Sequence, residues 1–554
     1  MPNVKNLCLV LAAATLGVLS AACASPSQPA APAAQPGAQS GGTEPKVQRL
    51  VIAVTGASSG PETNIGSQVG SPDSWLVRPM YEQLLETDAT TGKYLPGLAT
   101  SWTLASDAKT ITAKLREGVQ FHQNMGEMTA DDVVHSFDVQ LAAESNSTNK
   151  TFFTGAKADG KYQVTIGQPT PYALWQYAIS RENTVFIQSK AWFDKNGLPK
   201  KVTDPAVPGT APYQEKEWVQ GSRIVFERAP FKHWRQTPDF PELEYRFQKE
   251  ASTRVAALLT GEVHITQIPE DLKPQAEKGG MKVVAGTLAA QRAWLRFHGI
   301  YVDAKNPGQY LYPNNPLMDV KVRKALNKAI NRDDLYKAFF NSKGEVMLNG
   351  PFHKTREGWD PSWETRWKAE YGYDPAAAQA LLAEAGYTTA KPLETNLVLT
   401  NVESVPSSQD VQEAVVQFWR KAGIKVNIVQ MDPGQRIATD RDLKFDNHIS
   451  LAASNSDVIV GWQVYNDSIP PRFGAESHTT DALFLKARSE IDAEKRSAVL
   501  KEIGEYAFAN QMNIPLFWLP TEVVLNPQVV AGYTFPGNIT GFWTHVENIK
   551  AVMK

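Results

Sequence analysis

Cysteine is almost absent from this chain of 554 residues: there are two, Cys8 and Cys23. Both lie near the N-terminus, so the rest of the chain holds neither a disulfide nor a thiolate metal site. A chain of this length builds a large core and needs no disulfide staples. Charge of one sign is lacking too. Lys and Arg total 56 against 58 Asp and Glu, a net charge of −2; a nucleic-acid binder would show a basic face. There is no His-Glu-x-x-His pair and no phosphate-binding glycine loop. The nine histidines, His122, His135, His233, His264, His298, His353, His448, His478 and His545, are scattered with no close pair. No run beyond the first two dozen residues is long and apolar enough to span a bilayer, and no repeat of fixed period is visible. No catalytic group, metal or cofactor is therefore expected.

What is present begins with a leader. Lys5 precedes an apolar stretch from Leu7 to Leu19, the length of a signal-peptide core. Ser20-Ala21-Ala22-Cys23 follows and resembles a lipobox, although Leu19 stands four residues before the cysteine rather than three. The alternative is ordinary cleavage at one of the Ala-x-Ala sites here. Ala24 to Pro45 is almost wholly Ala, Pro, Ser, Gln and Gly, with no charge before Glu44. Such a segment cannot bury enough apolar surface to order itself and behaves as an extended spacer. The expectation is a signal peptide over 1–22, a lipid on Cys23 and a tether over 23–46. Two or three acyl chains suffice for stable anchoring outside the cytoplasmic membrane.

The most specific stretch lies between Leu95 and Asp138. Ile111, Ala113 and Leu115 alternate with polar residues, the period of a half-buried strand. Gly118 marks a turn, Thr129 and Asp132 have capping-box spacing, and Val133, Phe137 and Leu141 recur as on a buried helix face. The wording of this run, with Leu95-Pro96-Gly97-Leu98-Ala99, Leu115-Arg116-Glu117-Gly118-Val119 and Met128-Thr129-Ala130-Asp131-Asp132-Val133, closely resembles the extracellular solute-binding proteins, family 5, receptors of bacterial ABC importers.

The resemblance continues in order to the end of the chain. Leu50 to Val54 reads as the first strand, and Met80 to Asp88 resembles the family's early helix and turn. Gly209-Thr210-Ala211-Pro212-Tyr213 resembles a family turn, and Arg254 to Gly261 a helix ending before a strand. Asp319 is placed to cap a helix burying Val322, Ala325, Leu326, Ala329 and Ile330. Asp374-Pro375 opens another helix that Gly386 closes. A further helix runs through Trp419 to Gly423, and Ile424, Val426 and Ile428 alternate as a strand.

Alternating strands and helices give an α/β protein. The resemblance implies a two-lobed, periplasmic-binding-protein-like fold of type II, in its large form with an extra subdomain, and a ligand cleft between the lobes. The expected divisions are lobe I over 47–293, lobe II over 294–524 and a return segment over 525–554 packing on lobe I. Trp294, Trp462 and Trp543 fall in segments that approach the cleft in relatives, as does His298, which follows Trp294-Leu295-Arg296-Phe297. Trp359, Trp363 and Trp367 form a four-residue stripe that reads as packing within the second lobe or as a stacking platform.

One departure bears on specificity. Peptide-binding relatives carry a Trp-x-x-Asp-Tyr-Pro-Asp-Pro-like loop whose first aspartate pairs with a peptide's free amino group. Counting from Phe445-Asp446 puts Asn455 in that place, followed by Ser456 and Asp457, with Ala452 for the tryptophan. Aligning on Gly461-Trp462 puts Tyr465 there instead. Neither register keeps the aspartate. Asn401 and Asn455, with Asp457 nearby, join the tryptophans as candidate ligand-binding residues. The implied function is a receptor, not an enzyme, that captures a peptide or peptide-like solute for permease subunits and acts as a monomer. The alternatives are a receptor for an oligosaccharide or a metal chelate, and, from another class, a secreted two-lobed hydrolase.

Overall fold

The computed structural model describes residues 44–554 apart from 56–73, 89, 143–149, 151, 181–184, 198, 200–205, 287–290, 307, 403, 455–457, 463–464, 467–473, 536–542 and 544. Cys23, and with it the leader and most of the tether, lies outside the described residues. Among them no helix is long and apolar enough to cross a membrane.

Two mixed sheets organise the chain. The first runs in the order Lys282–Ala285, Glu522–Leu525, Ile265–Thr266, Arg49–Val54, Glu242–Phe247, Arg223–Arg228, Tyr213–Val219. Arg49–Val54 at its centre is parallel to both neighbours and buried from Leu50 to Val54, as a strand covered on both faces should be. The second sheet runs Glu345–Val346, Asn513–Leu519, Gln291–Phe297, His448–Ser454, Glu394–Leu399, Lys425–Gln430. Here too the central strands Gln291–Phe297 and Asn513–Leu519 are buried throughout.

The chain passes between these sheets twice. It leaves the first sheet at Ala285 and enters the second at Gln291; it leaves the second at Leu519 and re-enters the first at Glu522. The expected division at 293/294 thus falls inside one strand of the second sheet. Two short adjacent crossings between two separate sheets make a two-lobed molecule with a hinge. A third, antiparallel sheet of Ala99–Leu104, Thr110–Leu115, Gln163–Gly167 and Gly155–Ala158 is inserted in the first lobe's sequence. After Glu522–Leu525 the described residues pack on the first lobe. Trp543, Val546 and Ile549 bury among first-sheet side chains, and Pro45 bridges Met553.

Local chemistry explains most elements. Ile111, Ala113 and Leu115 point into the core from strand Thr110–Leu115. Helix Ala130–Leu141 starts where the Asp132 carboxylate accepts from Thr129 N at 2.9 Å and from its hydroxyl at 3.1 Å. Asp319 accepts from Lys321 N, and Asp374 from Ala377 N ahead of Pro375. Gly261, Gly386 and Gly423 take the left-handed conformation at helix exits, with φ of +79°, +87° and +87°.

Two segments differ from expectation. Met80 to Asp88 is not helical. Leu85–Thr87 forms a strand with Tyr94–Pro96, and buried Glu82 is held by the Thr210 hydroxyl at 2.9 Å. Gly209 is needed beside this turn, because a Cβ there would lie 2.0 Å from the Met80 carbonyl oxygen. Lys425–Gln430 is an edge strand, so Val426 is buried while Ile428 is exposed. Of the tryptophan stripe, Trp363 is fully buried against Phe352 and Phe508, a packing role in the second lobe.

Candidate functional site

In open α/β sheets ligands bind outside the carboxyl ends of the parallel strands. In the second lobe, Glu394–Leu399 and His448–Ser454 run parallel and end on one edge. Gln291–Phe297 starts on that edge, with Arg292 opposite both Ser454 and Trp518. In the first lobe, Arg49–Val54, Glu242–Phe247 and Ile265–Thr266 end toward the side where Ala285 pairs with Glu522. Both carboxyl edges therefore adjoin the crossings and flank the cleft there. Residues 56–73, which follow the first strand in sequence, are outside the described residues.

The second-lobe edge is built mainly on strand Gln291–Phe297. Gln291 Nε2 donates to the Ser404 hydroxyl at 3.3 Å and so ties down the loop after Leu399. Within that loop Asn401 is exposed, and its Oδ1 accepts from the Ser408 hydroxyl at 3.1 Å. Arg292 is buried, and its guanidinium carbon lies 4.6 Å from the Trp294 ring centroid. Trp294 packs with Met347, Ala452 and Trp518. Gly461 leaves room for the guanidinium, since a Cβ there would stand 2.5 Å from an Arg292 nitrogen.

Trp518 meets polar side chains on its other contacts. Arg356 lies 4.7 Å from its centroid and the His353 ring 4.9 Å away. His353 Nδ1 pairs with the Thr355 hydroxyl at 2.7 Å and Nε2 with Glu345. The hydrogen bond from His353, helped by Lys354, holds the Glu345 carboxyl down at about 2. The edge thus combines aromatic rings, guanidinium groups and amides. Gln291, Arg292, Trp294 and Trp518 are buried at this edge while Asn401 is exposed; the groups gathered are of the kind that pair with carbonyl or carboxylate oxygens.

The expected site residues separate by location. Trp294 and Asn401 lie on this edge. Trp462 ends helix Val458–Trp462 behind it, fully buried against Tyr465 at 4.9 Å and Phe352 at 6.3 Å. Asn455 and Asp457 lie outside the described residues; Ser454, just before them, pairs with Arg292. Tyr465, the other aligned position, is buried, and its hydroxyl accepts from Asn513 Nδ2 at 3.3 Å.

His298 is enclosed by protein. Its ring nitrogens meet the Tyr301 hydroxyl at 3.1 Å and the Ser450 hydroxyl at 2.8 Å, with Asp440 3.3 Å from Nδ1. Burial pushes its imidazole well below the ordinary value, so it is neutral. Trp543 belongs to the first lobe's core, where its carbonyl accepts from the Tyr245 hydroxyl at 3.3 Å. The sequence reading overlooked Gln291, Arg292, Ser404, Trp518 and Arg356. The available signal was a pair of charged residues four apart, Arg292 and Arg296, on a largely apolar strand. Among the described residues no three His, Cys, Asp or Glu side chains form a group able to hold a metal.

Comparison with known proteins places this geometry. The family description "Bacterial extracellular solute-binding proteins, family 5 Middle" matches residues 93–466, more than half of the chain. A dipeptide-binding protein of Escherichia coli (strain K12) is 27% identical over 414 residues, covering 69% of this chain and 70% of that protein. Di/tripeptide-binding protein 3 of Pseudomonas aeruginosa (strain UCBPP-PA14) is 24% identical over 466 residues, covering 76% and 81%. Among solved structures, the ABC transporter-associated periplasmic binding protein DppA from Helicobacter pylori, in complex with peptide STSA, superposes with a TM-score of 0.71. It is 23% identical and the match covers 91% of this chain and 98% of that one.

Proposed function

We propose, because this chain belongs to family 5 of the bacterial extracellular solute-binding proteins, that it is the extracytoplasmic receptor of an ABC importer. It captures a peptide or peptide-like solute between its lobes and presents it to a membrane permease. The observation that carries this reading is the pair of strand edges beside the two crossings, one of them bearing Arg292, Trp294 and Asn401. The names of the relatives, dipeptide- and di/tripeptide-binding proteins, supply the solute class. Trp294, Asn401, Asn455 and Asp457 contact the solute together with Gln291 and Arg292. Trp462 and His298 brace that surface from behind, and Trp543 braces the first lobe. The receptor works as a monomer and releases its solute unchanged.

The N-terminal region completes the assignment. Residues 1–22 are removed as a signal peptide, Cys23 carries the lipid and 23–46 form the tether. The first lobe then begins at 47 and runs to the crossing after Ala285, the second lobe lies between Gln291 and Leu519, and the chain from Glu522 onward returns to the first lobe. Cys23→Ala then moves the protein from the membrane to the soluble fraction; a wild type already soluble and unmodified at Cys23 refutes the anchor.

The deciding experiment is to purify the protein without refolding, release the bound solute by denaturation and identify it by mass spectrometry. A short peptide or peptide derivative is expected. Adding it back to stripped protein lowers the radius of gyration in small-angle scattering and raises the melting temperature. Turnover of the solute, or a solute with no amide or amino-acid character, defeats the proposal.

A further inference from the structure

Among the described residues, polar contacts of two kinds join the lobes besides the polypeptide links. The first surrounds the crossings. Glu522, the first residue after the return crossing, and Glu270 of the first lobe are both bound by Lys273 of the first lobe. Lys343 reaches over from the second lobe, 2.8 Å from Glu270 and 3.3 Å from Glu522, and Asn341 Nδ2 donates to Glu270 at 3.1 Å. Two lysines face two carboxylates, so the cluster is neutral as a whole.

The second contact shares no residue with the crossings. Helix His478–Ser489 of the second lobe meets the segment that follows third-sheet strand Gln163–Gly167. Ala173 N donates to the Arg488 carbonyl at 2.8 Å, and the Arg488 guanidinium carbon lies 4.9 Å from the Tyr172 ring centroid. Arg488 is 2% exposed and Tyr172 1%. Each is fixed from its own side. Tyr172 N donates to the Ala108 carbonyl at 3.0 Å, the Tyr172 carbonyl accepts from Gln168 Nε2 at 3.2 Å, and its ring lies 5.4 Å from Phe152. The Arg488 helix is capped by the Ser477 hydroxyl and packs on helix Ala493–Asn510.

Rotation about the crossings barely alters a contact that surrounds the axis and separates one that lies off it. A cation over an aromatic face is held strongly only while water is excluded. We propose that Arg488 seated on Tyr172 is the clasp of the closed receptor, and that the cluster of Glu270, Lys273, Glu522 and Lys343 is its pivot. The clasp rests on the two-lobed closure described above and is independent of which solute is bound.

The test reads the distance between lobes by pulsed dipolar electron paramagnetic resonance. Spin labels go on Lys232→Cys and Glu413→Cys, both exposed and one in each lobe, with Cys8 and Cys23 replaced by Ser. Arg488→Met is expected to shift the ratio of short to long distances at least tenfold toward the long. Tyr172→Leu, which acts from the opposite lobe and covers the case that Arg488→Met does not fold, shifts it the same way. Arg488→Lys, which keeps a cation, shifts it less. A two-distance parent whose ratio is unmoved by Arg488→Met and by Tyr172→Leu overturns the clasp alone. A parent with one distance, unchanged when the released solute fraction is added back, overturns closure and the clasp with it.

Discussion

Arg235 of the first lobe and Glu547 of the C-terminal segment form an ion pair at 2.9 Å. The same guanidinium reaches Glu86 at 3.0 Å and Glu82 at 3.7 Å, so one cation serves three shielded carboxylates. Burial alone would raise the Glu547 carboxyl, but Arg235 beside it holds it well below the usual range. This pair fastens the return segment to the lobe it closes.

Removing that cation leaves Glu547 and Glu86 without their guanidinium partner, while Glu82 keeps the Thr210 hydroxyl and His233. Arg235→Met is expected to cost about 3 kcal/mol, the typical loss when one partner of a buried pair is deleted. The measurement is urea unfolding at pH 7. Glu82 and Glu547 both have depressed values, so their stabilisation is present above the ordinary Glu value and fades as pH falls through their folded values. The penalty of the variant therefore shrinks on acidification below about pH 4. A penalty that is constant from pH 7 to pH 3 refutes this account.

Glu215 behaves in the opposite sense. It sits at a register shift in strand Tyr213–Val219, and burial pushes its carboxyl up to about 7. A raised carboxyl binds its proton more tightly when folded, so it weakens the fold as pH rises from about 4.3 toward 7. Glu215→Gln, which keeps the shape without the charge, is expected to stabilise the protein at pH 8 by on the order of 2 kcal/mol. The gain vanishes near pH 4 and levels off above pH 7. Thermal unfolding across that range checks it; equal gains at pH 4 and pH 8 refute it.

These carboxylates illustrate where the sequence was readable and where it was not. Local signals were reliable: the Thr129 and Asp132 cap, the Asp374-Pro375 start and the Gly423 exit all act through neighbours a few residues away. The Met80 to Asp88 run was misread because its conformation is set at long range, by Thr210 on Glu82 and by pairing with Tyr94–Pro96. The candidate site draws only in part on residues that the sequence offered. Trp294 and Asn401 fall on the hinge-side edge, but Arg292 is brought beside Ser454 and Trp518 by strands from three separate regions. No spacing within one segment encodes such a meeting. His298 stood in a segment that relatives place near ligand, yet its side chain is taken up by Tyr301 and Ser450, partners that only the folded sheet supplies.

Gly461 tests the role of Arg292 in solute binding. A methyl group there would press on the guanidinium at 2.5–2.9 Å, and the end of an arginine side chain can yield. Alanine also favours the helix by about 1 kcal/mol over glycine. Gly461→Ala is therefore expected to leave the melting temperature within a few degrees while displacing the guanidinium from Trp294. Affinity for the released solute, measured by calorimetry, is expected to fall at least tenfold, about 1.4 kcal/mol. Unchanged affinity removes Arg292 from the binding surface.

The sharpest test of specificity concerns the solute's amino end. Asn455 stands where peptide-binding relatives carry the aspartate, and Tyr465, the other aligned residue, is committed to Asn513 in the core. A neutral amide holds an ammonium far more weakly than a carboxylate does away from water. Deleting the carboxylate from such a pair typically costs about 3–5 kcal/mol, so a receptor lacking it draws its affinity from other contacts. Arg292, paired with Ser454, adds a like charge on the adjoining strand. A peptide and its N-acetylated form are therefore expected to bind within about tenfold of each other, a difference of no more than about 1.4 kcal/mol. In Asn455→Asp the free-amine peptide gains and the acetylated one does not. A loss of a hundredfold or more on acetylation in the wild type would show that the ammonium is recognised after all, with Asp457 the first residue to examine as its partner.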